Sequence, residues 1–191
     1  MGRPAGKRAT YEDLYTIPEG AIGEIIDGEL VVTPRPSPEH AAAASVLGGE
    51  LVPPYHMGRG GGLGGWIILD EPEVLFPGRG EPLVPDLAGW KRERFVRSPE
   101  HNWIAVAPDW VCEVLSPGTA KKDRFTKMEI YRQSPEVGHV WLVDPLHKTL
   151  EVFGRGESGA WVPESFFAED DLVRAEPFPE AQFPLKGLWL E

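Results

Sequence analysis

Two carboxylates stand where burial makes them costly. Glu113 lies inside Trp110-Val111-Cys112-Glu113-Val114-Leu115, a run that is otherwise apolar, and Asp86 follows Pro85 in the strand-like run Leu83 to Ala88. An ionised carboxylate in such a strand is unfavourable unless a cation or hydrogen bonds compensate it. Two explanations fit: a buried salt bridge to an arginine, or a metal site, where two hard oxygen ligands suit magnesium because it takes carboxylates and keeps waters. A third group bears on the choice. Asp123, Lys127 and Tyr131 recur at i, i+4 and i+8 after the short turn Ser116-Pro117-Gly118, so on a helix they form one stripe about 80° wide. That stripe can face the C-terminal half of the Glu113 strand. Lys127 then brings a cation to the carboxylates, able to orient or deprotonate a water for attack on phosphorus. On an isolated helix the same spacing is no more than an exposed Asp–Lys pair worth roughly a few tenths of a kcal/mol.

Strands and helices must hold these groups. Glu24-Ile25-Ile26 and Glu29 to Thr33 flank Asp27-Gly28, a strong hairpin signal. The alanine-rich stretch from Pro38 to Leu51 predicts a helix closed by Pro53-Pro54. The five glycines between Arg59 and Gly65 predict a mobile loop. Strands are predicted at Trp66 to Leu69, Val74 to Phe76, Leu83 to Ala88 and Trp110 to Leu115, the last covered on both faces. A helix follows from about Ala120 to Gln133, with Thr119 as its cap and Pro135 beyond its end. Val140 to Val143 and Thr149 to Phe153 pair across Asp144-Pro145, and Trp161 and Val162 mark one more strand. The acid- and proline-rich remainder is expected to lie across the surface and to end on Leu188, Trp189 and Leu190. This order implies an α/β fold with a mixed β-sheet flanked by helices. One domain over 11–191 follows a flexible N-terminal tail over 1–10.

Composition sets bounds on function. A chain of 191 residues, 41% of them hydrophobic, buries a core without staples. Cys112 is the one cysteine, so no internal disulfide forms and a cytoplasmic location is expected. No apolar run approaches the ~20 residues of a membrane helix, and the basic start has no apolar stretch behind it, unlike a signal peptide. The net charge of −11 runs against a general nucleic-acid binder. An acidic chain can still act on DNA where its basic residues gather at the cleft, and two clusters qualify: Lys91, Arg92, Arg94 and Arg97, and Lys121, Lys122, Arg124, Lys127 and Arg132. A solvated face explains the first equally well. Other chemistries lack their signatures. His56, His101, His139 and His147 show no metal-ligand spacing. Arg59 to Gly65 lacks the Gly-Lys-Ser/Thr ending of a P-loop, and Ser116 is not in a Gly-x-Ser-x-Gly elbow.

Leu83-Val84-Pro85-Asp86, the run from Trp110 to Pro117, the Asp123, Lys127, Tyr131 stripe and Trp141-Leu142-Val143-Asp144-Pro145 resemble, in order and spacing, the Uma-two family. These are bacterial proteins regarded as restriction-endonuclease-like. The likeness starts near Tyr11, takes in Glu24 to Leu30 and His40, and runs to Leu188-Trp189-Leu190. It implies a PD-(D/E)XK nuclease core, restriction-endonuclease-like, in which Asp86 and Glu113 are the metal carboxylates. The superfamily pattern puts its lysine two residues after the second acid, which is Leu115 here; the resemblance moves that role to Lys127. Two departures stand out: Ser134-Pro135 falls where the family continues its helix, and His139-Val140 replaces an acidic–aromatic pair.

The implied activity is that of a Mg2+-dependent endonuclease, a hydrolase acting on phosphodiester bonds in DNA. Asp86, Glu113 and the Val114 carbonyl would hold Mg2+, with Mn2+ as a substitute, and Lys127 would assist the attacking water. Glu24 is either a third carboxylate near the metal or a solvated hairpin edge. His40 either reaches the site from its helix or serves as a cap or surface residue. Nucleic acid, with DNA foremost, is the expected partner, and a homodimer would supply two sites for two strands. The rival reading is a non-catalytic binding or regulatory module that retains the nuclease fold.

Overall fold

The computed structural model describes residues 8–26, 28–97 and 99–190. Asp27 of the hairpin turn and residues 1–7 of the expected tail lie outside the described residues. The two runs flanking the turn form β1 (Ala21–Ile26) and β2 (Glu29–Pro34), an antiparallel pair that sets Glu24 opposite Val31. Gly28 takes φ +81°, a left-handed backbone that glycine adopts without strain. Its carbonyl accepts the Ala9 N–H at 2.9 Å, which ties the chain ahead of a short 3-10 turn, Tyr11–Thr16, to the hairpin.

Helix α1 spans Pro38–Leu51. Ser37 caps it by accepting the His40 N–H at 3.3 Å, and Pro38 sits where a missing N–H leaves no bond unmade. Ala43, Leu47 and Leu51, spaced i, i+4, i+8, are fully buried. Pro53-Pro54 does not stop the helical path as expected. The chain widens into a π-type turn, Val52–His56, closed by Met57 N–H on the Val52 carbonyl at 3.0 Å. Prolines at the start of a new helical segment give up donors that would have no partner there.

Six strands make the central sheet: β3 (Trp66–Asp70), β4 (Leu87–Lys91), β5 (Trp110–Val114), β6 (His139–Asp144), β7 (Thr149–Arg155) and β8 (Trp161–Ala168), in that spatial order. The β5–β6 pair is parallel and every other pair antiparallel, so the expectation of a mixed α/β sheet flanked by helices holds. Two strand expectations shift. Val74 to Phe76 makes only isolated bridges, Val74 to Leu83 and Val74 to Ile104. The run from Leu83 enters the ladder only at Leu87, because Pro85 has no N–H to donate. Gly89 in β4 is fitted between two indoles: a Cβ there would sit 3.1 Å from Trp110 and 3.3 Å from Trp66.

All five residues of β5 are buried, and their alternation divides the core. Trp110, Cys112 and Val114 pack with α1. Val111 and Leu115 pack on the other face with Ile26, Met128 and Tyr131. Glu113 is the one acid on this strand. A parallel neighbour requires a crossover, and residues 116–138 provide it. A helix begins at 120 and winds as a π-helical segment, Lys122–Lys127, directly into α2 (Met128–Arg132).

The acid- and proline-rich tail proves to be core rather than surface cover. Its β9 (Leu172–Val173) and β10 (Phe183–Pro184) pair with each other, and Val173, Phe178, Phe183, Leu185 and Leu188 are buried. The Phe178 ring meets Trp110 edge-on at 5.0 Å, and the Trp141 indole N–H donates to the Glu176 carbonyl at 2.8 Å. Single apolar residues between acids and prolines have no period, so nothing in their spacing marks them as core.

Arg155, at the end of β7, holds the crossover helix in place. Its guanidinium donates to the carbonyls of Val137, Arg132, Gly159, Tyr131 and Ser134 at 2.8–3.1 Å and stacks on Trp161. Every donor of the side chain is thus used on backbone, mostly at the helix C-terminus, where carbonyls lack intrahelical partners. Arg155→Ala is expected to cost about 2–4 kcal/mol of stability, and Arg155→Lys, with three donors and no planar fork, to recover less than half. Urea unfolding midpoints measure this; a loss below about 0.5 kcal/mol, the size of an ordinary surface change, would contradict it.

Candidate active site

The pairing of β4 with β5 brings the two acids together. Leu87 faces Cys112 and Ala88 faces Val111, so Asp86 and Glu113 are the next cross-strand neighbours and share one face of the sheet. Asp86 Oδ2 accepts the Val114 N–H at 2.6 Å, which fixes the carboxylate at the end of β5. Leu115, where the superfamily pattern would have lysine, is buried in the core. The cation comes from the helix. Lys127 is buried, and its Nζ lies 3.1 Å from Glu113 Oε2, 3.2 Å from Glu24 Oε1 and 3.7 Å from Asp123 Oδ1. It also donates to the Val84 carbonyl at 3.3 Å. Tyr131 donates its hydroxyl to Glu113 Oε1. The stripe read from the i, i+4, i+8 spacing therefore converges on the strand acid.

Glu24 and His40, each open to a surface reading from sequence, both reach the site. Glu24 projects from β1, accepts the Val84 N–H at 3.1 Å and pairs with Lys127. His40 belongs to the first turn of α1, but Ser37 is the cap; the imidazole Nε2 lies 3.2 Å from Asp86 Oδ1. Thr119 directly precedes the second helix, and its carbonyl accepts the Asp123 N–H at 3.0 Å, while its hydroxyl contacts Ser116 at 3.0 Å and the Asp123 carboxylate. The site opens on a cleft of about 410 Å³. Its walls also carry Lys122, from the second of the basic clusters seen in the sequence, and Arg35 and Glu71, which sequence reasoning did not single out. Nothing in the local pattern of Arg35 and Glu71 separates them from the chain's other exposed charges. Of the basic clusters, Arg92, Arg94, Arg124 and Arg132 are committed to carbonyls or acids within the chain.

The electrostatics follow from burial. Desolvation raises the Glu113 pKa well above the ordinary value of 4.5; Lys127 opposes this, while Asp123, Asp86 and Glu24 add to it. Asp123 is raised too, first by burial, with Lys127 and a Thr119 hydrogen bond opposing. For Lys127, burial works against the ammonium, but Glu113, Glu24, Asp123 and Asp86 overcome it, so its pKa moves up. His40 behaves alike: burial lowers its pKa, but the Asp86 hydrogen bond and charge, the Val114 backbone and Glu71 outweigh it, so the pKa moves up.

The donor set fits a hard divalent cation. Four carboxyl groups, Glu24, Asp86, Glu113 and Asp123, surround one buried ammonium, so ionising all of them leaves an excess of negative charge in a low-dielectric place, which a proton on Glu113 or a bound cation relieves. Among the described residues no three His, Cys, Asp or Glu side chains are grouped to hold an ion by themselves. A site here would be two carboxylates with backbone and water oxygens, the arrangement that magnesium accepts.

A sequence profile for the Uma2 family, described as "Putative restriction endonuclease", matches residues 8–186. Among solved structures, a crystal structure of a "putative nuclease belonging to DUF820" from Anabaena variabilis superposes with a TM-score of 0.71 at 24% identity. The match covers 94% of this chain and 97% of that one, and it establishes the shared fold. No curated protein matches the chain. No helix among the described residues is long and apolar enough to cross a membrane.

The raised Glu113 pKa makes stability depend on pH. A carboxyl that holds its proton more tightly when folded contributes fully below its unfolded value, near 4.5, and that contribution is lost as pH rises through the folded value. With divalent ions chelated, wild type should lose stability relative to Glu113→Gln between about pH 5 and about pH 8, a difference that also carries the response of Lys127 and Asp123, which are coupled to Glu113. Saturating Mg2+ should reduce that loss. Denaturation midpoints of both proteins at the two pH values provide the measurement; a pH-independent difference would contradict it.

Proposed function

The chain belongs to the Uma2 family, and from that premise we propose that it is a Mg2+-dependent endonuclease hydrolysing phosphodiester bonds in DNA. The observation that carries the reading is the buried Lys127 ammonium, clamped by Glu113 from β5 and Glu24 from β1 beside Asp86. Asp86, Glu113 and the Val114 carbonyl are the groups that would hold the ion. When bound, Mg2+ supplies Lewis-acid polarisation of the phosphate and lowers the pKa of water.

The protein's own part is positioning and charge. Lys127 stays protonated because the surrounding acids hold its pKa up, so of the two roles open from sequence it takes the donor's. Its charge stabilises the charge that builds on the pentacovalent phosphorus, and it orients the attacking water where that water displaces one of its present acceptors, Glu113, Glu24 or the Val84 carbonyl. Tyr131 fixes the Glu113 carboxylate by donating to Oε1, and Glu24 fixes the ammonium from the opposite side. His40 steadies Asp86 Oδ1, while the Val114 N–H steadies Oδ2. Arg35 and Lys122 on the cleft wall would supply the positive charge that meets the phosphates of a bound strand. A homodimer would provide two such clefts for the two strands of a duplex.

One observation favours the alternative of a binding or regulatory module: the net charge is −11, and several arginines are consumed by internal partners. The two readings separate on turnover. Purified protein with supercoiled and single-stranded DNA should cleave with Mg2+ or Mn2+ and stop in chelator. Asp86→Ala and Glu113→Ala should each abolish cleavage, and Lys127→Ala should slow it by about 10²–10³, the effect of losing one transition-state donor. Absence of cleavage by wild type with every metal and nucleic acid would favour the module, and activity surviving in Glu113→Ala would place the chemistry elsewhere.

A further inference from the structure

The cleft wall formed by Glu71 has a second side. Glu71 also lines a neighbouring cavity of about 430 Å³, whose walls include Phe95, Arg97, His101, Asn102 and Trp103. The lining shares carboxylates with the cleft, Asp70, Glu71 and Glu73, but it has aromatic rings and amide and guanidinium donors where the cleft has its lysine. Trp103 is half-buried and firmly held. Tyr11 meets its ring edge-on at 5.5 Å, and the Tyr11 hydroxyl is itself anchored by Glu73 at 2.7 Å. The His101 ring lies parallel to the indole, with centroids 4.3 Å apart and planes 7° apart. His101 is exposed, so it is the outer member of a preformed two-ring stack. A flat heteroaromatic ring can extend such a stack.

Glu71 stands at the junction for a backbone reason. It takes φ +44°, a left-handed conformation uncommon outside glycine, and its N–H donates to the Asp86 carbonyl at 3.0 Å. The wall of the second cavity is therefore bonded to the residue that carries a cleft carboxylate. A carboxylate on that wall repels phosphate and selects a ligand edge that presents two adjacent N–H donors. Among the bases only guanine offers such a pair, N1–H and N2–H. The Asn102 amide and the Arg97 guanidinium are donors suited to its O6.

We propose that this cavity receives one unpaired guanine of the substrate strand, stacked on His101 and hydrogen-bonded through N1–H and N2–H to Glu71, beside the phosphate held in the cleft. The proposal rests on the nuclease reading and makes that nuclease selective for a strand in which a base near the cut is unpaired. Binding and cleavage can be tested apart. Titration of the full chain in chelator with dGMP, dTMP or deoxyribose 5-phosphate, followed by NMR, contains no phosphodiester to cut. The dGMP affinity is expected to exceed that of the other two by about tenfold or more. His101→Ala should weaken dGMP by about fivefold or more, and His101→Phe, which keeps a stacking face, should retain it. Glu71→Gln should narrow the gap between dGMP and dTMP. Equal affinities for the three probes, no binding at millimolar dGMP, or indifference to His101→Ala would each overturn the base site, even where DNA cleavage is found. Guanine-selective binding that depends on His101, in a protein that cleaves nothing, would uphold the site and sink the nuclease reading instead.

Discussion

The rest of this structure turns on one buried ammonium among four carboxylates. Lys127 would be unfavourable in the core alone, and Glu113 would be more so on a fully covered strand. Together they are tolerable only because Glu24, Asp123, Tyr131 and the Val84 carbonyl complete the coordination of both. Those partners come from the hairpin, the crossover helix and the segment entering β4. A single electrostatic contact therefore sets where three otherwise separate pieces meet.

Burying the cluster this way leaves it short of positive charge. Hydrophobic isosteres would fill the same volume with less penalty, so the arrangement reads as chemistry built at some expense of stability. Rigid parts around it reduce that expense. β5 is covered on both faces, and Arg155 ties the C-terminus of the Lys127 helix to the β6–β7 region through five backbone carbonyls. The π-helical winding over Lys122–Lys127 belongs to the same design, since such windings are rare in helices and gather at functional sites.

How much of this could be read from sequence depends on what kind of signal each residue leaves. Glu113 was legible because a charge inside an apolar run is anomalous by itself, and Lys127 because the helical period links it to Asp123 and Tyr131. Glu24 and His40 are ambiguous between site and surface in the sequence, since a glutamate beside a hairpin turn and a histidine in a first helical turn are ordinary in both places. Glu71 left no signal at all: its place comes from a left-handed backbone angle that no residue type announces. β propensity runs from Leu83 to Ala88 without a break, but the missing N–H of Pro85 delays the ladder to Leu87, which propensity alone does not show. The core residues of the tail leave no local signal, because Val173, Phe178 and Leu185 are isolated apolar residues whose burial is decided by the distant faces of α1 and β5.

The proposed divalent cation would sit among the carboxylates that crowd Lys127. Anomalous diffraction from crystals of the protein soaked in Mn2+ tests this most directly. The expected result is one strong anomalous peak within coordinating distance of both Asp86 and Glu113, with the Lys127 ammonium beside it and not displaced to solvent. Crystals saturated with Mn2+ that show no peak there, or a peak only among surface acids, would contradict the account and leave Lys127 and Glu113 as a structural ion pair.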